Sequence, residues 1–366
     1  MKVICSRDRL IESIAIVQKA ISSRTTMAIL DGILIEADEG VKLTGYDMEI
    51  GIECQMEADV PEKGSLVVTS RMFGDIIRKL PDDLVSIETT SAQNIQIESG
   101  SSHFSIKCLR AEDYPKIPLV EQAKKVALPQ QMLRDMIHQT IFAVSTDETR
   151  PILNGSFFQA EGKSVEMVAI DGFRLAMRKN ELEEAVGSLK FIIPGKVLHE
   201  VGRILSTTKE LVDIYPSNNN ILFDTGTVKI VSRLIQGEYM NYKGIVPQTA
   251  ETTVTVAPAA LLDAIERASL IITTDDKRYP VRLTISDDDT LIISANTEIG
   301  TLREEIAITT SGSKIDIDFN PRYFIDALKV IEEDEISIVF NGTMGPCVLK
   351  PMDSDEFAYL VLPLRR

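Results

Sequence analysis

The feature that most constrains this chain is that it repeats itself with a period close to one third of its length. The dipeptide Gly-Ser opens a strand-like run at Gly64-Ser65, Gly187-Ser188 and Gly312-Ser313, spacings of 123 and 125 residues in a chain of 366. Each is preceded by an amphipathic helix signal in which Leu is followed four residues later by Ile. The pairs are Leu10 and Ile14 (continued by Val17 and Ile21), Leu133 and Ile137, and Leu261 and Ile265. A turn rich in Gly or acid then separates short β-rich runs, at Asp38-Glu39-Gly40, Glu161-Gly162-Lys163 and Asp287-Asp288-Asp289. After the Gly-Ser run comes a second helix, with apolar positions Phe73, Ile76, Ile77 and Leu80, then Leu198, Val201 and Leu205, then Phe324, Ala327, Leu328 and Ile331. Each unit closes on a Tyr-to-Pro strand end: Tyr114 to Pro118, Tyr242 to Pro247, and Tyr359 to Pro363. The expected fold is therefore α+β: three tandem copies of one domain, at 1–121, 122–246 and 247–366, each with two helices on antiparallel sheets.

A period this long is not that of a solenoid or propeller blade, where ~20 to 50 residues per unit is usual. The helices are expected to cover one face of sheets assembled edge to edge. An open row of such sheets would leave strand edges unpaired, which favours closure into a ring. With 44% hydrophobic residues the chain can fill three cores. Charge appears at Lys2, Arg7 and Asp8 before any apolar leader could form, and no run approaches the ~18 apolar residues of a membrane span, so a cytoplasmic protein without a membrane partner is expected.

Little here suggests chemistry. Cys5, Cys54, Cys108 and Cys347 form no Cys-x-x-Cys pair, and His103, His138 and His199 are isolated. This argues against a zinc site, a disulfide framework or a nucleophile relay. Asp287-Asp288-Asp289 sits between two alternating apolar runs and reads as a solvated turn rather than a metal cluster. No cofactor or metal is expected, and an enzyme using carboxylates such as Asp171 and Glu238 is the competing class.

Charge is distributed with a pattern. The net charge of −16 divides into −7 for 1–121 (13 basic, 20 acidic), +1 for 122–246 (15 and 14) and −10 for 247–366 (11 and 21). On a helical wheel the second helix of each repeat carries two basic residues opposite its core side: Arg71 and Arg78, Lys196 and Arg203, Arg322 and Lys329. Six equivalent positions are basic in a chain where 39 of 366 residues are Lys or Arg, which points to a polyanion. Ordinary tight DNA binding relies on many phosphate contacts, which the net charge opposes, so enclosure rather than affinity would have to hold the partner. A 122-residue domain is ~35 Å across; three in a ring leave a hole of ~5 Å and six leave ~35 Å, against a duplex of roughly 20 Å. Two chains, not one, could encircle DNA.

The segments Thr149-Arg150-Pro151-Ile152-Leu153-Asn154-Gly155, Ala169-Ile170-Asp171-Gly172-Phe173-Arg174-Leu175-Ala176, Phe319-Asn320-Pro321-Arg322-Tyr323 and Tyr359-Leu360-Val361-Leu362-Pro363-Leu364-Arg365-Arg366 carry a resemblance to a known family. In order and spacing they resemble the bacterial sliding clamps, the beta subunits of DNA polymerase III, over the full chain. The resemblance implies a head-to-tail homodimer forming a six-domain ring with helices lining the hole. Such a ring encircles duplex DNA without reading sequence. It also tethers the replicative polymerase, the clamp loader and other proteins with short apolar motifs.

The resemblance further implies a peptide cleft between the second and third repeats. Its wall here would be Leu153, Ile170, Gly172, Phe173, Arg174, Leu175, Ile245, Asn320, Tyr323, Met344, Pro346, Val361, Leu362, Pro363 and Leu364. On sequence physics alone Asp171-Gly172 reads as a hairpin turn and Val361-Leu362 as plain core; only the resemblance makes them a cleft wall. Phe173, Ile170 and Gly244 stand where His, Thr and a basic residue are common in the family, so motif preference is expected to differ. For DNA the resemblance points to Arg24, Arg71 and Lys196; Asp147 and Ile152 occupy places where relatives carry loop contacts. The dimer contact is expected to set Phe104 and Ile106 of one chain against Leu270, Ile271 and Ile272 of the other. A ring-shaped scaffold that binds peptides but never DNA is a third possibility.

Overall fold

The computed structural model describes residues 1–22, 27–91, 93–247, 249–272, 280–285 and 289–364. Six α-helices occur among them: α1 (Arg7–Val17), α2 (Ser70–Lys79), α3 (Gln130–His138), α4 (Gly195–Ile204), α5 (Pro258–Ser269) and α6 (Pro321–Leu328). Their apolar periodicity becomes burial. Leu10, Ile14 and Val17 of α1, Phe73 and Ile77 of α2, Leu133 and Ile137 of α3, Leu198 and Val201 of α4, Leu261 and Ile265 of α5, and Phe324, Ala327 and Leu328 of α6 are all in the core. Each such Leu, Ile or Phe contributes ~1.5 to 3 kcal/mol when removed from water. Ile21 is not on α1, because the helix tightens after Val17 into the short turn Gln18–Ala20. The start of α6 is fixed locally: Pro321 occupies the first turn, where no N–H is missed, and the Asn320 side chain accepts from the Arg322 N–H at 3.0 Å.

The chain divides into two compact units, Met1–Gln131 with Arg203–Leu234, and Met132–Gly202 with Ile235–Arg366, so the second sequence repeat contributes to both. In the first unit α1 packs on α2, and the Gln18 amide donates to the Ser70 carbonyl and hydroxyl at 3.1 Å. Its eight-stranded sheet joins the repeats edge to edge: Val228–Arg233 pairs antiparallel with Ile50–Met56, setting Ile230 opposite Ile52. A five-stranded sheet runs Asp59–Glu62, Lys2–Ser6, Leu84–Ser91, Asn94–Ser99, Ser102–Lys107.

The second unit repeats the device. Strand Arg174–Pro194 pairs with Phe357–Val361 in a seven-stranded sheet, and a four-stranded sheet ends on Gly300–Ala307. All these pairings are antiparallel, and α5 packs on α6.

One turn differs from expectation. Glu161-Gly162-Lys163 does not separate two strands: Gly155–Ile170 runs through it as one strand, and its register with Arg174–Pro194 shifts on both sides of Gly162. Gly162 has φ +59°, a conformation glycine adopts without the Cβ penalty, so the break becomes a bulge. Asp287 and Asp288 of the third turn lie outside the described residues, while Asp289 accepts from the Ile308 and Thr310 N–H groups beside the paired strands Val281–Ile285 and Thr290–Thr297. All four cysteines are buried, unpaired thiols, and burial raises that of Cys5 to about 11. Among the described residues no helix is long and apolar enough to cross a membrane.

Candidate functional site

The cleft begins with a turn that Asp171 builds. Its Oδ1 accepts the Phe173 N–H at 2.8 Å and the Arg174 N–H at 3.0 Å, and Gly172 supplies φ +94° between them. The turn reverses Gly155–Ile170 into Arg174–Pro194 and leaves Phe173 58% exposed. Arg174 is only 10% exposed and is held on both sides: Nε donates to Asp171 Oδ2 at 2.9 Å and Nη1 to Asp326 Oδ2 at 2.6 Å. Its guanidinium lies 4.7 Å from the Tyr323 ring and 5.5 Å from that of Phe142. Tyr323 in turn stacks under Phe173, ring centres 6.3 Å apart, and burial raises the Tyr323 phenol. The result is a column of Phe173, Tyr323, Arg174 and Phe142 with one exposed end.

Beside it lies an apolar cluster that draws from both repeats. Leu153, Ile170 and Leu175 pack with Val168, Ile192, Tyr239, Tyr242, Val339, Val348 and Leu360, and Leu362 covers the edge. The tail is fixed by main-chain bonds, Leu362 N–H to Phe173 O at 2.9 Å and Leu364 N–H to Asp318 O at 2.8 Å, leaving Leu362, Pro363 and Leu364 half-buried. Burial raises the phenols of Tyr239 and Tyr242, and in Tyr242 the bond to Glu166 adds to the effect.

One expected wall residue faces elsewhere. Val361 pairs with Arg174 and Leu360 with Leu175; side chains alternate along a strand, so Val361 enters the core formed with Ala176, Phe357 and Tyr359 while Leu360 enters the cleft cluster. Ile245, Met344 and Pro346 are not members of the buried cluster. Met344 is 69% exposed, and Asn320 spends its side chain on capping α6.

The helix cations are all exposed: Arg71, Arg78, Lys196, Arg203, Arg322 and Lys329. Arg78 faces Asp75 at 2.7 Å, Arg322 faces Asp326 at 3.9 Å and Lys329 faces Glu266 at 2.9 Å. Arg24 lies outside the described residues. At the edge strand Ser102–Lys107, Phe104 and Ile106 stand opposite Ile97 and Ile95. A hollow lined by Arg71, Met72, Ile76, Lys79 and Phe104 adjoins it. At the end of α5, Leu270 is 80% exposed and Ile271 half-buried, but Ile272 is in the core and offers little surface to a partner.

Comparison with known proteins follows the repeats in order. Family models described as the N-terminal, central and C-terminal domains of the DNA polymerase III beta subunit match residues 1–118, 127–241 and 243–365. The chain belongs to this family. It is 38% identical over 377 residues to the beta sliding clamp of Bacillus subtilis (strain 168), with all of both chains covered. It is also 38% identical over 379 residues to that of Halalkalibacterium halodurans, again over the whole of both. Among solved structures, a sliding clamp from Bacillus subtilis superposes with TM-score 0.96 at 37% identity, covering 100% of this chain and 99% of that one. A Pseudomonas aeruginosa sliding clamp bound to griselimycin gives TM-score 0.94 at 27% identity with both chains fully covered. This sliding-clamp chain is thus three tandem domains of mixed helix and antiparallel sheet.

Reading the motifs left some cluster residues unnamed. Leu360 could have been found by counting alternation back from Leu362. Val168 and Val348 could not, since they read as ordinary strand core. The acid partners Asp75 and Asp326 were visible at helical spacings of three and four from Arg78 and Arg322. Glu266 was not, because it comes from α5 against Lys329 just past the end of α6.

Proposed function

We propose that this protein is a DNA sliding clamp, a dimeric ring of six domains that encloses duplex DNA and tethers a replicative polymerase through the cleft beside Phe173 and Leu360. The repeats would be 1–121, 122–246 and 247–366. The single observation that carries the tether is the apolar cluster at the join of the second and third repeats, edged by the half-buried Leu362 and flanked by an aromatic column whose outer end, Phe173, is exposed. A short apolar motif placed there raises the polymerase's effective concentration at the primer end, so a weak contact suffices.

For the ring, the edge strands Ser102–Lys107 and Gly300–Ala307 each end a sheet and offer unpaired main-chain groups, as a head-to-tail contact requires. Phe104, Ile106, Leu270 and Ile271 would supply its apolar part. The duplex would lie against Arg24, Arg71 and Lys196, with Arg78, Arg203, Arg322 and Lys329 adding positive potential. The protein acts without catalysis, in the cytoplasm.

Retention tests the reading. The protein loaded on nicked circular DNA is expected to stay bound through gel filtration and to be lost when the circle is linearised. Equal loss from both would overturn enclosure and leave the ring-shaped peptide scaffold.

A further inference from the structure

One wall of the cleft is not part of any sheet. The segment from Gln236 to Val246 carries Tyr239 and Tyr242 into the apolar cluster with no strand pairing of its own, its only regular structure being the short turn Tyr242–Gly244. Tyr239 is held by stacking on Phe157, ring centres 5.2 Å apart, and by a long bond of its hydroxyl to Val168 O at 3.4 Å. Tyr242 lies with its ring 6.1 Å from that of Phe157, and its hydroxyl donates a short bond to Glu166 Oε2 at 2.7 Å.

Beside that bond lies a solvent-open cavity of about 480 Å³, lined by Gln159, Glu166, Met177, Lys179, Tyr242 and Val246, among others, on the same sheet face as the cleft. Glu166, Val168 and Ile170 alternate on one strand, and their partners Lys179, Met177 and Leu175 on the next, so cleft and cavity are successive stretches of one surface with Tyr242 between them. Tyr242 lines that space, so its ring has room to move when the hydroxyl bond to Glu166 is lost.

We infer that Glu166 and Tyr242 are positioning residues for the peptide cleft: their hydrogen bond pins the Gln236–Val246 segment and sets the cleft's width. The inference rests on the clamp reading of the cleft. The two residues act through the buried Tyr242 ring, which without its anchor relaxes toward the cavity and opens the apolar surface that the motif fills. A charged acceptor makes this bond stronger than a neutral one, and the Tyr239 stack does not replace it.

The test uses the full-length protein and a fluorescent apolar pentapeptide. Tyr242→Phe is expected to weaken peptide affinity roughly five- to tenfold, chiefly through faster dissociation, as loss of one charge-assisted bond would give. Glu166→Ala is expected to match it, and the double variant to be no worse than either, because both remove the same bond. Glu166→Gln, which keeps an acceptor, is expected to stay within about twofold of wild type. Independently of any peptide, hydrogen exchange at the Asn241 to Val246 amides is expected to accelerate in Tyr242→Phe and Glu166→Ala while Glu166→Gln stays protected. Unchanged affinity and unchanged exchange in Tyr242→Phe would overturn the inference, as would a loss that follows melting temperature and is not rescued by Glu166→Gln. Failure of the wild type to bind the peptide would overturn the cleft reading itself, and exchange would then report whether the pin still exists.

Discussion

Arg174 holds the aromatic column together, and its removal should be costly. Arg174→Ala leaves Asp171 and Asp326, 16% and 28% exposed, without the cation between them. Breaking a fully buried ion pair by deleting one partner costs ~3 to 5 kcal/mol. Here both carboxylates keep some solvent, and Asp171 also keeps its backbone N–H partners, so the expected cost is about half to two thirds of that, ~2 to 3 kcal/mol. Loss of the guanidinium from the Tyr323 and Phe142 faces adds ~0.5 to 1 kcal/mol. At ~2 to 4 °C per kcal/mol for a body of this size, melting should fall by roughly 5 to 15 °C. Calorimetry of Arg174→Ala, Asp326→Asn and the double variant reads this directly. The two changes remove one shared contact, so the double variant should fall short of the sum by at least ~1 kcal/mol. A melting temperature within about 1 °C of wild type, or strict additivity, would refute the reasoning and leave Arg174 as a plain surface contact.

Reversing Lys196 and Arg203 to Glu should leave the fold intact and shorten retention on nicked circles, since both side chains are exposed; reversing Arg71 with Arg78 should give a similar loss. Phe324→Ala, at a fully buried ring packed edge-on against Phe319, should destabilise by ~3 to 5 kcal/mol in denaturant titration. The hydrogen bonds from Arg267 hold the Glu304 carboxyl below its ordinary value. Because that folded value is depressed, its stabilisation is present above the unfolded value of about 4.3 and is lost as pH falls through the folded one. Glu304→Gln should therefore lose less stability than wild type between neutral pH and about pH 3, as read from urea midpoints. Phe173→Ala should leave melting within about 1 °C yet weaken apolar peptide binding several-fold by calorimetric titration, since that ring is 58% exposed and packs on one side only.

What the sequence yielded, and what it withheld, follows from the range of the interactions involved. Helix positions were legible because the Leu-to-Ile spacing and the Phe73, Leu198 and Phe324 positions are short-range patterns that a single core face enforces. The edge-to-edge joins were legible only in kind: that repeats would share sheets follows from unpaired edges, but nothing local says that Ile230 meets Ile52 or that Leu175 meets Leu360. The cleft shows the same division. Its turn is written in Asp171-Gly172, whereas the choice of Leu360 over Val361 depends on register with a strand nearly two hundred residues away. A one-residue slip there would exchange the faces, moving Val361 into the cleft and Leu360 into the other core. Val361 and Leu360 are both apolar and both buried, so composition could never have told them apart; only the partner strand does. The basic stripe carries the converse lesson. Equal positions on three helices looked like one signal, but Asp75, Asp326 and Glu266 neutralise Arg78, Arg322 and Lys329 to different degrees. A surface that must let DNA slide is better served by scattered, partly compensated charge than by a uniform stripe, because each fully exposed cation adds a phosphate contact that would have to be broken at every step.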